Sequence, residues 1–375
     1  MAIAFTEDQI AIQEGVREFA HSRVLPRAAE IDRTDIFPRD LWQEMAAHGL
    51  FGVPFPEEYG GLGAGYVAYV LAVEELVRAS MSVGVLVSVQ GLAQEAILRF
   101  GTEEQKQRYL KPLVQGEKIG CFAFTEAGTG SDPKALMTRW VRDGQQYVLA
   151  GTKTFITHAT VADAGVIFAK GADGKVSAFI VEAGSPGWQP GRQEDKLGLH
   201  GTGTAELVLD DVRVPAHNLL GREGDGFRIL LQTISVGKLA VAAQGVGISQ
   251  AALDASVRYA RERTAYGKPI AQFQTTQWLI AEMAARLEAA RWLTYRTAQL
   301  LEDGTDISRA AAQCKLFSSR AAVQTSSDAM QIHGAYSYSK DYVVERLYRD
   351  AKITEIYEGT SEIQRVIIAN ALLRE

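Results

Sequence analysis

Cysteine is scarce: the 375 residues contain only Cys121 and Cys314. Both sit in apolar surroundings and match neither a zinc spacing nor a disulfide framework, so both are expected to be reduced and buried, as in a cytosol-like compartment. A basic excess is also missing. Lys and Arg number 39 against 45 Asp and Glu, a net charge of −6, which excludes the electrostatic footprint of a nucleic-acid binder. No stretch approaches the roughly 18 unbroken apolar residues of a membrane helix. No basic or apolar leader precedes the amphipathic opening MAIAFTEDQI, so the mature protein is expected to start at or near Met1. Dinucleotide and nucleotide fingerprints are absent too. GGLGAG, GLHGTG and GVGISQ fail the G-x-G-x-x-G spacing, and GTKT at 151–154 is not a P-loop. His200, His217 and His333 show no ligand spacing, so no metal site is expected. Rossmann nicotinamide enzymes and P-loop NTPases are therefore disfavoured.

What is present divides by period. With 47% hydrophobic and 22% charged residues, the chain can build two or three cores. Residues 1–118 read as helical: Thr6 and Thr102 are candidate N-caps, and Leu41–Leu50, Val67–Ala79 and Glu103–Val114 carry helical spacing. Over 119–228 the period shortens. CFAFTE, YVLAGTKTFIT, AGVIFAK, VSAFIVE and AELVLDDVRVP read as strands of a small antiparallel barrel or sandwich, with Pro186, Pro190 and Pro215 in loops. No helix fits between these strands, so a βαβ arrangement is not expected. Helical period returns over 229–375, with long segments at Ala240–Arg263, Gln274–Glu302, Ile307–His333 and Glu362–Leu373. The fold class is α+β, mainly α.

Four stretches carry chemistry. FTEAGTGSD (124–132) is a loop of small residues after a strand, with the hydroxyls of Thr125, Thr129 and Ser131, able to bond a heteroaromatic edge or a phosphate; a plain turn is the alternative. GTKTFIT (151–157) sets Phe155 and Thr157 on one strand face. RERTAYGKPIAQFQ (261–274) places Arg263 near a helix end, where it could reach a phosphate or simply face solvent. In KITEIYEGTSEIQR (352–365), Ser361 and Gln364 fit a capping box, so a helix should begin just after Ser361 and put Glu358 in the turn before it. Burial there raises a carboxyl's proton affinity, while a helix N-terminus favours its charged form. Such a base suits proton abstraction beside a carbonyl; a mere capping carboxylate is the other reading.

In order and together, these stretches resemble the acyl-CoA dehydrogenase family from about Phe5 to Leu373. FTEAGTGSD is similar to TEPGAGSD, AGTKTFIT to NGTKTWIT, and RERTAYGKPIAQFQ to RxxFGxPIxxFQ. KLGLHGTGTAELVLDDVRVPAHNLLG and MQIHGAYSYSKDYVVERLYRDAKITEIYEGTSEIQR resemble the family's central and C-terminal signatures. The resemblance implies an N-terminal helical domain, a middle β-barrel domain and a C-terminal four-helix bundle. It also implies FAD as cofactor, an acyl-CoA thioester as substrate, a 2-enoyl-CoA product and an electron-transfer flavoprotein as acceptor. The assembly implied is a cytoplasmic homotetramer built as a dimer of dimers.

Matched by position, Glu358 would be the α-proton base. Phe124, Thr125, Phe155, Thr157, Arg263, Gln274, Gln331 and Thr360 would bind FAD, partly across a subunit boundary. Ser131, Lys238, Tyr357 and Gly359 would contact substrate. There are departures. Lys238 stands where most members have Arg, Phe155 where Trp is usual, and Ala335 and Ser337 replace glycines. Gly237 occupies the position where some members carry their base, leaving Glu358 as the candidate. A same-fold oxidase, enoyl-CoA reductase or cyclic or dicarboxylic acyl-CoA dehydrogenase remains an alternative, as does, remotely, a non-catalytic relative. Gln90, Gln94 and Glu95 are polar residues on the helix expected to floor the acyl pocket, which favours a short or polar-tailed acyl group if any of them points inward.

Overall fold

The computed structural model describes residues 5–374, so the expectation about Met1 lies outside the described residues. Thr6 opens α1 (Glu7–Phe19) with a full capping box: its Oγ1 accepts from Gln9 N–H at 3.2 Å and its own N–H donates to Gln9 Oε1 at 3.0 Å. Helices α2 (Ala28–Thr34) and α3 (Arg39–Ala47) follow, then α4 (Gly65–Ala79) and α5 (Met81–Phe100). Thr102 repeats the box at α6 (Glu103–Gln105), which runs through a π-turn into α7 (Lys111–Val114). By length and mean hydropathy α5 and one later helix could cross a membrane, which the count of unbroken apolar residues did not register. In each, 83% of the apolar window is buried inside the fold, as the core helices of a protein interior require.

Eight strands form one sheet: β1 (Gly120–Ala123), β2 (Arg139–Asp143), β3 (Gln146–Ile156), β4 (Ala164–Lys170), β5 (Val176–Glu182), β6 (Trp188–Gln193), β7 (Ala205–Pro215) and β8 (Leu219–Leu220). Their path is β6-β7-β3-β2-β4-β5-β8, with β1 beside β4. The sheet is mixed rather than purely antiparallel, because β1 lies parallel to β4 and β2 touches β4 in parallel at one residue pair. Three strands of this sheet escaped the sequence reading, of which β8 is only two residues long. β2 is mostly exposed and so lacks an apolar run. β6 contains Pro190, expected in a loop; it sits in an edge strand, where a missing N–H costs the ladder little.

The chain then enters α8 (Gly226–Glu262), a short hairpin of β9 (Thr264–Ala265) and β10 (Lys268–Pro269), α9 (Gln274–Glu302), α10 (Ser308–His333), α11 (Val343–Ala351) and α12 (Ser361–Arg374). Helix α8 starts well before the expected Ala240 and keeps its glycines because neighbours press on them. A Cβ at Gly245 would lie 2.7 Å from the Ser318 carbonyl oxygen of α10, and one at Gly247 2.7 Å from the Glu74 carbonyl oxygen of α4. Buried ionic contacts tie the N-terminal helices to the rest. Glu74 accepts from Arg291 at 2.8 Å and from Tyr295 Oη at 2.6 Å, and Asp32 joins Arg349 at 2.6 Å and His200 at 2.8 Å. The Glu74 tie holds α4 against α9, while α4 and α5 both pack directly on α8, where the site lies.

Candidate active site

The segment 352–365 does break. A 3₁₀ turn (Lys352–Glu355) ends α11, and Glu358 and Gly359 follow with φ of 53° and 90°, two consecutive left-handed residues. Gly359 is required twice over: its φ favours glycine, and a Cβ there would meet Gln364 Nε2 at 2.7 Å. The capping expectation needs correction. Thr360, not Ser361, caps α12, its Oγ1 accepting from Ile363 N–H at 3.4 Å, while Ser361 Oγ is buried and unpartnered. Gln364 does not reach back to an N–H. Its Nε2 donates to the carbonyls of Gly359 at 2.7 Å and Glu358 at 3.3 Å, which the left-handed turn swings into the first turn of the helix.

Glu358 Oε2 is fully covered and accepts no hydrogen bond. It lies over α8 at a position without a side chain: a Cβ on Gly237 would sit 2.8 Å from it and 2.9 Å from Leu92 Cδ2. Burial pushes the Glu358 carboxyl up to about 7, against the pull of Lys315 and Lys238. Lys238 is buried, and its own proton affinity is lowered by that burial despite the nearby carboxylate. Tyr357 donates through its hydroxyl to Gln244 Oε1, and Gln244 Nε2 donates to Ser88 Oγ at 3.0 Å. Among the described residues the Glu358 N–H donates to no protein acceptor.

Gly237 also lines a narrow cleft among α4, α5 and α8, with Phe55, Tyr69, Ser88, Leu92 and Glu95. Of Gln90, Gln94 and Glu95 on α5, only Glu95 faces this cleft. There it accepts from Tyr66 Oη at 2.6 Å and pairs with Arg99. Gln90 and Gln94 are turned away and bond main chain near the start of β1, at Gly120, Leu113 and Phe51.

A second cluster forms where the first two motifs meet. Thr154 N–H donates to Thr125 O at 2.9 Å, joining the 124–132 loop to the end of β3. Beneath them Lys153, fully buried, donates to Glu126 Oε1 at 2.8 Å and Phe124 O at 3.2 Å. Glu126 accepts in turn from the N–H groups of Met137 and Thr138. On this base Phe155 takes φ 56° and stands 64% exposed, an open aromatic plane, with Thr157 Oγ1 3.3 Å from Thr204 Oγ1. Ser131 is exposed on the same loop, and the Thr129 and Thr154 hydroxyls are buried without partners.

Arg263, Gln274 and Gln331 are placed elsewhere. All three are exposed on the bundle, with Arg263 over the Tyr336 ring at 5.4 Å, and no contact among the described residues joins them to Phe155 or Thr125. Nearby, Ser337 turns inward and donates to Gly334 O at 2.8 Å.

The residue overlooked in the sequence is Lys315. It is wholly buried on α10, and its Nζ donates to Gly359 O at 2.7 Å. Its helical spacing with Ala311, Ser318 and Ala322 could be read, but that this face is the buried one is visible only in the fold.

The chain matches three family models in sequence: the acyl-CoA dehydrogenase N-terminal domain over residues 6–117, the middle domain over 121–212 and the C-terminal domain over 224–373. It is 46% identical over 373 residues to an acyl-CoA dehydrogenase of Bacillus subtilis, covering 98% of each chain. It is 45% identical to an acryloyl-CoA reductase (NADH) of Anaerotignum propionicum, over all of this chain and 96% of that one. The solved butyryl-CoA dehydrogenase of Megasphaera elsdenii superposes over the full length of both chains with a TM-score of 0.98 at 39% identity. The chain belongs to the acyl-CoA dehydrogenase family.

Proposed function

We propose that the protein catalyses FAD-dependent α,β-dehydrogenation of an acyl-CoA thioester, with Glu358 as the base. The observation that carries this is a covered, unpartnered carboxylate oxygen poised near neutral pH at the head of an apolar cleft. The residues fit the cofactor. Phe155 offers a flat exposed ring, with Phe124 and Thr125 on the loop joined to this end of β3 and Thr157 two residues on; Arg263, Gln274, Gln331 and Thr360 would serve the dinucleotide, partly across a subunit boundary, since no contact among the described residues joins Arg263, Gln274 or Gln331 to Phe155. Bound FAD supplies the acceptor for the two electrons that leave with the β-hydrogen.

The chain's own part is proton and charge handling. The Glu358 carboxylate takes the α-proton, the electrons of that C–H bond become the new C=C bond, and negative charge grows on the thioester oxygen. The free Glu358 N–H is available to that oxygen. Lys238 and Lys315 favour the carboxylate form of the base, and Tyr357, Gly359 and Ser131 would contact the substrate. Leu92 and the cleft walls exclude water from the acyl group.

The reading extends to an electron-transfer flavoprotein as acceptor, a homotetramer, a reducing cytoplasmic setting, and units divided as 1–118, 119–228 and 229–375. The reductive direction is the second reading. A carboxyl near 7 exists in both forms at neutral pH and can return the α-proton, and the chain is similar to a reductase.

Anaerobic titration with a panel of acyl-CoAs, following flavin absorbance, is the test. Bleaching of the wild type but not of Glu358→Gln is expected, with a rate rising with pH through about 7 as the carboxylate forms. A protein that takes up no FAD, or a Glu358→Gln variant bleached as fast as wild type, sinks the proposal.

A further inference from the structure

We infer that Lys315 is a positioning residue for Glu358: by donating to the Gly359 carbonyl it pins the left-handed Glu358–Gly359 turn and holds a positive charge beneath the base. The inference rests on Glu358 acting as proposed above.

The geometry is unusual for a lysine. Its side chain crosses the core of α10 with no solvent exposure and ends on a main-chain oxygen 2.7 Å away. A buried ammonium without a counter-ion in contact is costly and persists only where something compensates it. No carboxylate lies within ion-pair distance of Lys315 among the described residues, so Gly359 O and the field of Glu358 do that work. The same carbonyl accepts from Gln364 Nε2 at 2.7 Å. Two donors from two helices, α10 and α12, thus converge on the residue after the base. A non-glycine residue at φ 53° costs about 1–2 kcal/mol and is kept only where its surroundings over-determine it.

The groups around Glu358 define what a charge here can do. Helix α8 contributes Lys238, α10 contributes Lys315 and Cys314, and α4 contributes Tyr69; Tyr357 and Glu355 lie on the base's own segment, with Asp350 of α11 behind Tyr357. Burial raises Cys314, Tyr69 and Tyr357, so all three stay neutral at neutral pH. The two lysines are therefore the cations acting on the base, and only Lys315 also touches its turn. Removing the charge must raise the proton affinity of Glu358. Removing the bond must loosen the turn.

The test separates those effects in the FAD-loaded enzyme. The carboxyl stretching band of Glu358, identified by its loss in Glu358→Gln, is titrated by infrared difference spectroscopy beside the pH profile of flavin bleaching. In Lys315→Met both midpoints are expected to move up by about one pH unit, with the bleaching rate at neutral pH falling at least about fivefold. Lys315→Arg should leave the midpoints in place. Gln364→Leu should slow bleaching several-fold without moving them and without raising KM. Unmoved midpoints in a folded Lys315→Met, or a Gln364→Leu that bleaches at the wild-type rate, overturn the inference. If Lys315→Met does not fold, Gln364→Leu decides alone. A wild type that no acyl-CoA bleaches defeats the underlying reading instead, so the two failures are distinct.

Discussion

Gly237 gives the sharpest quantitative handle on the site. A methyl group there would sit 2.8 Å from Glu358 Oε2, 3.3 Å from its Cδ and 2.9 Å from Leu92 Cδ2. Ordinary contact begins at about 3.4 Å, so Gly237→Ala must push the carboxylate out by about 0.5 Å. Both obstructing groups are ends of flexible side chains, so the helix itself need not move. Stability should change little, since alanine gains about 1 kcal/mol of helix propensity inside α8 and crowding costs about 1–3 kcal/mol. Chemistry is far more sensitive. A misplacement of about 1 Å can cost about 10²-fold in rate, so half of that predicts about a tenfold slower α-proton abstraction. Stopped-flow bleaching by the best acyl-CoA gives the rate, and the melting midpoint gives stability. A variant that bleaches within twofold of wild type and melts at the same temperature would show that the carboxylate does not occupy this space, and the assignment of the base geometry would fall.

Glu358 also links the site to stability. Its carboxyl is raised from an ordinary 4.5 to about 7, so the native state holds a proton that the unfolded chain has released. Stability therefore falls as pH rises through that window, and the full penalty, about 3 kcal/mol, stands above pH 7. Glu358→Gln should be more stable than wild type by about 2 kcal/mol at pH 8, with the two lysines losing part of their partner, and equal to it near pH 4.5; urea midpoints at the two pH values check this, and equal midpoints at pH 8 refute it. Phe155→Ala should weaken FAD binding about tenfold while leaving the apoprotein's melting point within about two degrees, because the ring is 64% exposed; an unchanged FAD dissociation constant removes it from the cofactor site.

The period changes near residues 119 and 228 were readable because burial repeats every second residue in β3 and every third or fourth in α9 and α10. The end of α9 was readable for the same reason, whereas the start of α8 was blurred by Gly226 and Gly237, tolerated because Val176 of β5 fills the space at the first and Glu358 with Leu92 of α5 the space at the second. Strand β6 was unreadable since its proline is permitted by an edge position that only the topology defines. The candidate carboxylate was named through its motif. Its environment was not: Lys315 is 43 positions away along the chain, and a lone lysine on an alanine-rich helix looks like any solvated residue until the fold turns that face inward. The capping residues erred by one place for a related reason. S-x-x-Q and T-x-x-I both precede α12, and the choice was made by the left-handed turn, which carried Gln364 to carbonyls rather than to an N–H.

That turn explains why the base is not simply a helix residue. Inside a helix the Glu358 N–H would be consumed by a carbonyl four residues back, and its side chain would lean along the helix surface. At φ 53° the N–H makes no protein bond, and the carboxylate projects across to α8 rather than along α12. One residue thus presents an acceptor for a proton and a donor for the charge that proton leaves behind. The conformation that allows both is the one the backbone resists. Gly359, Thr360, Gln364 and Lys315 are the groups that hold it: a flexible φ, a cap and two donors on one carbonyl. The signature E-G-T is then a statement about backbone geometry as much as about acid–base chemistry, and a carboxylate moved one helical turn along α12 would keep the charge and lose the donor.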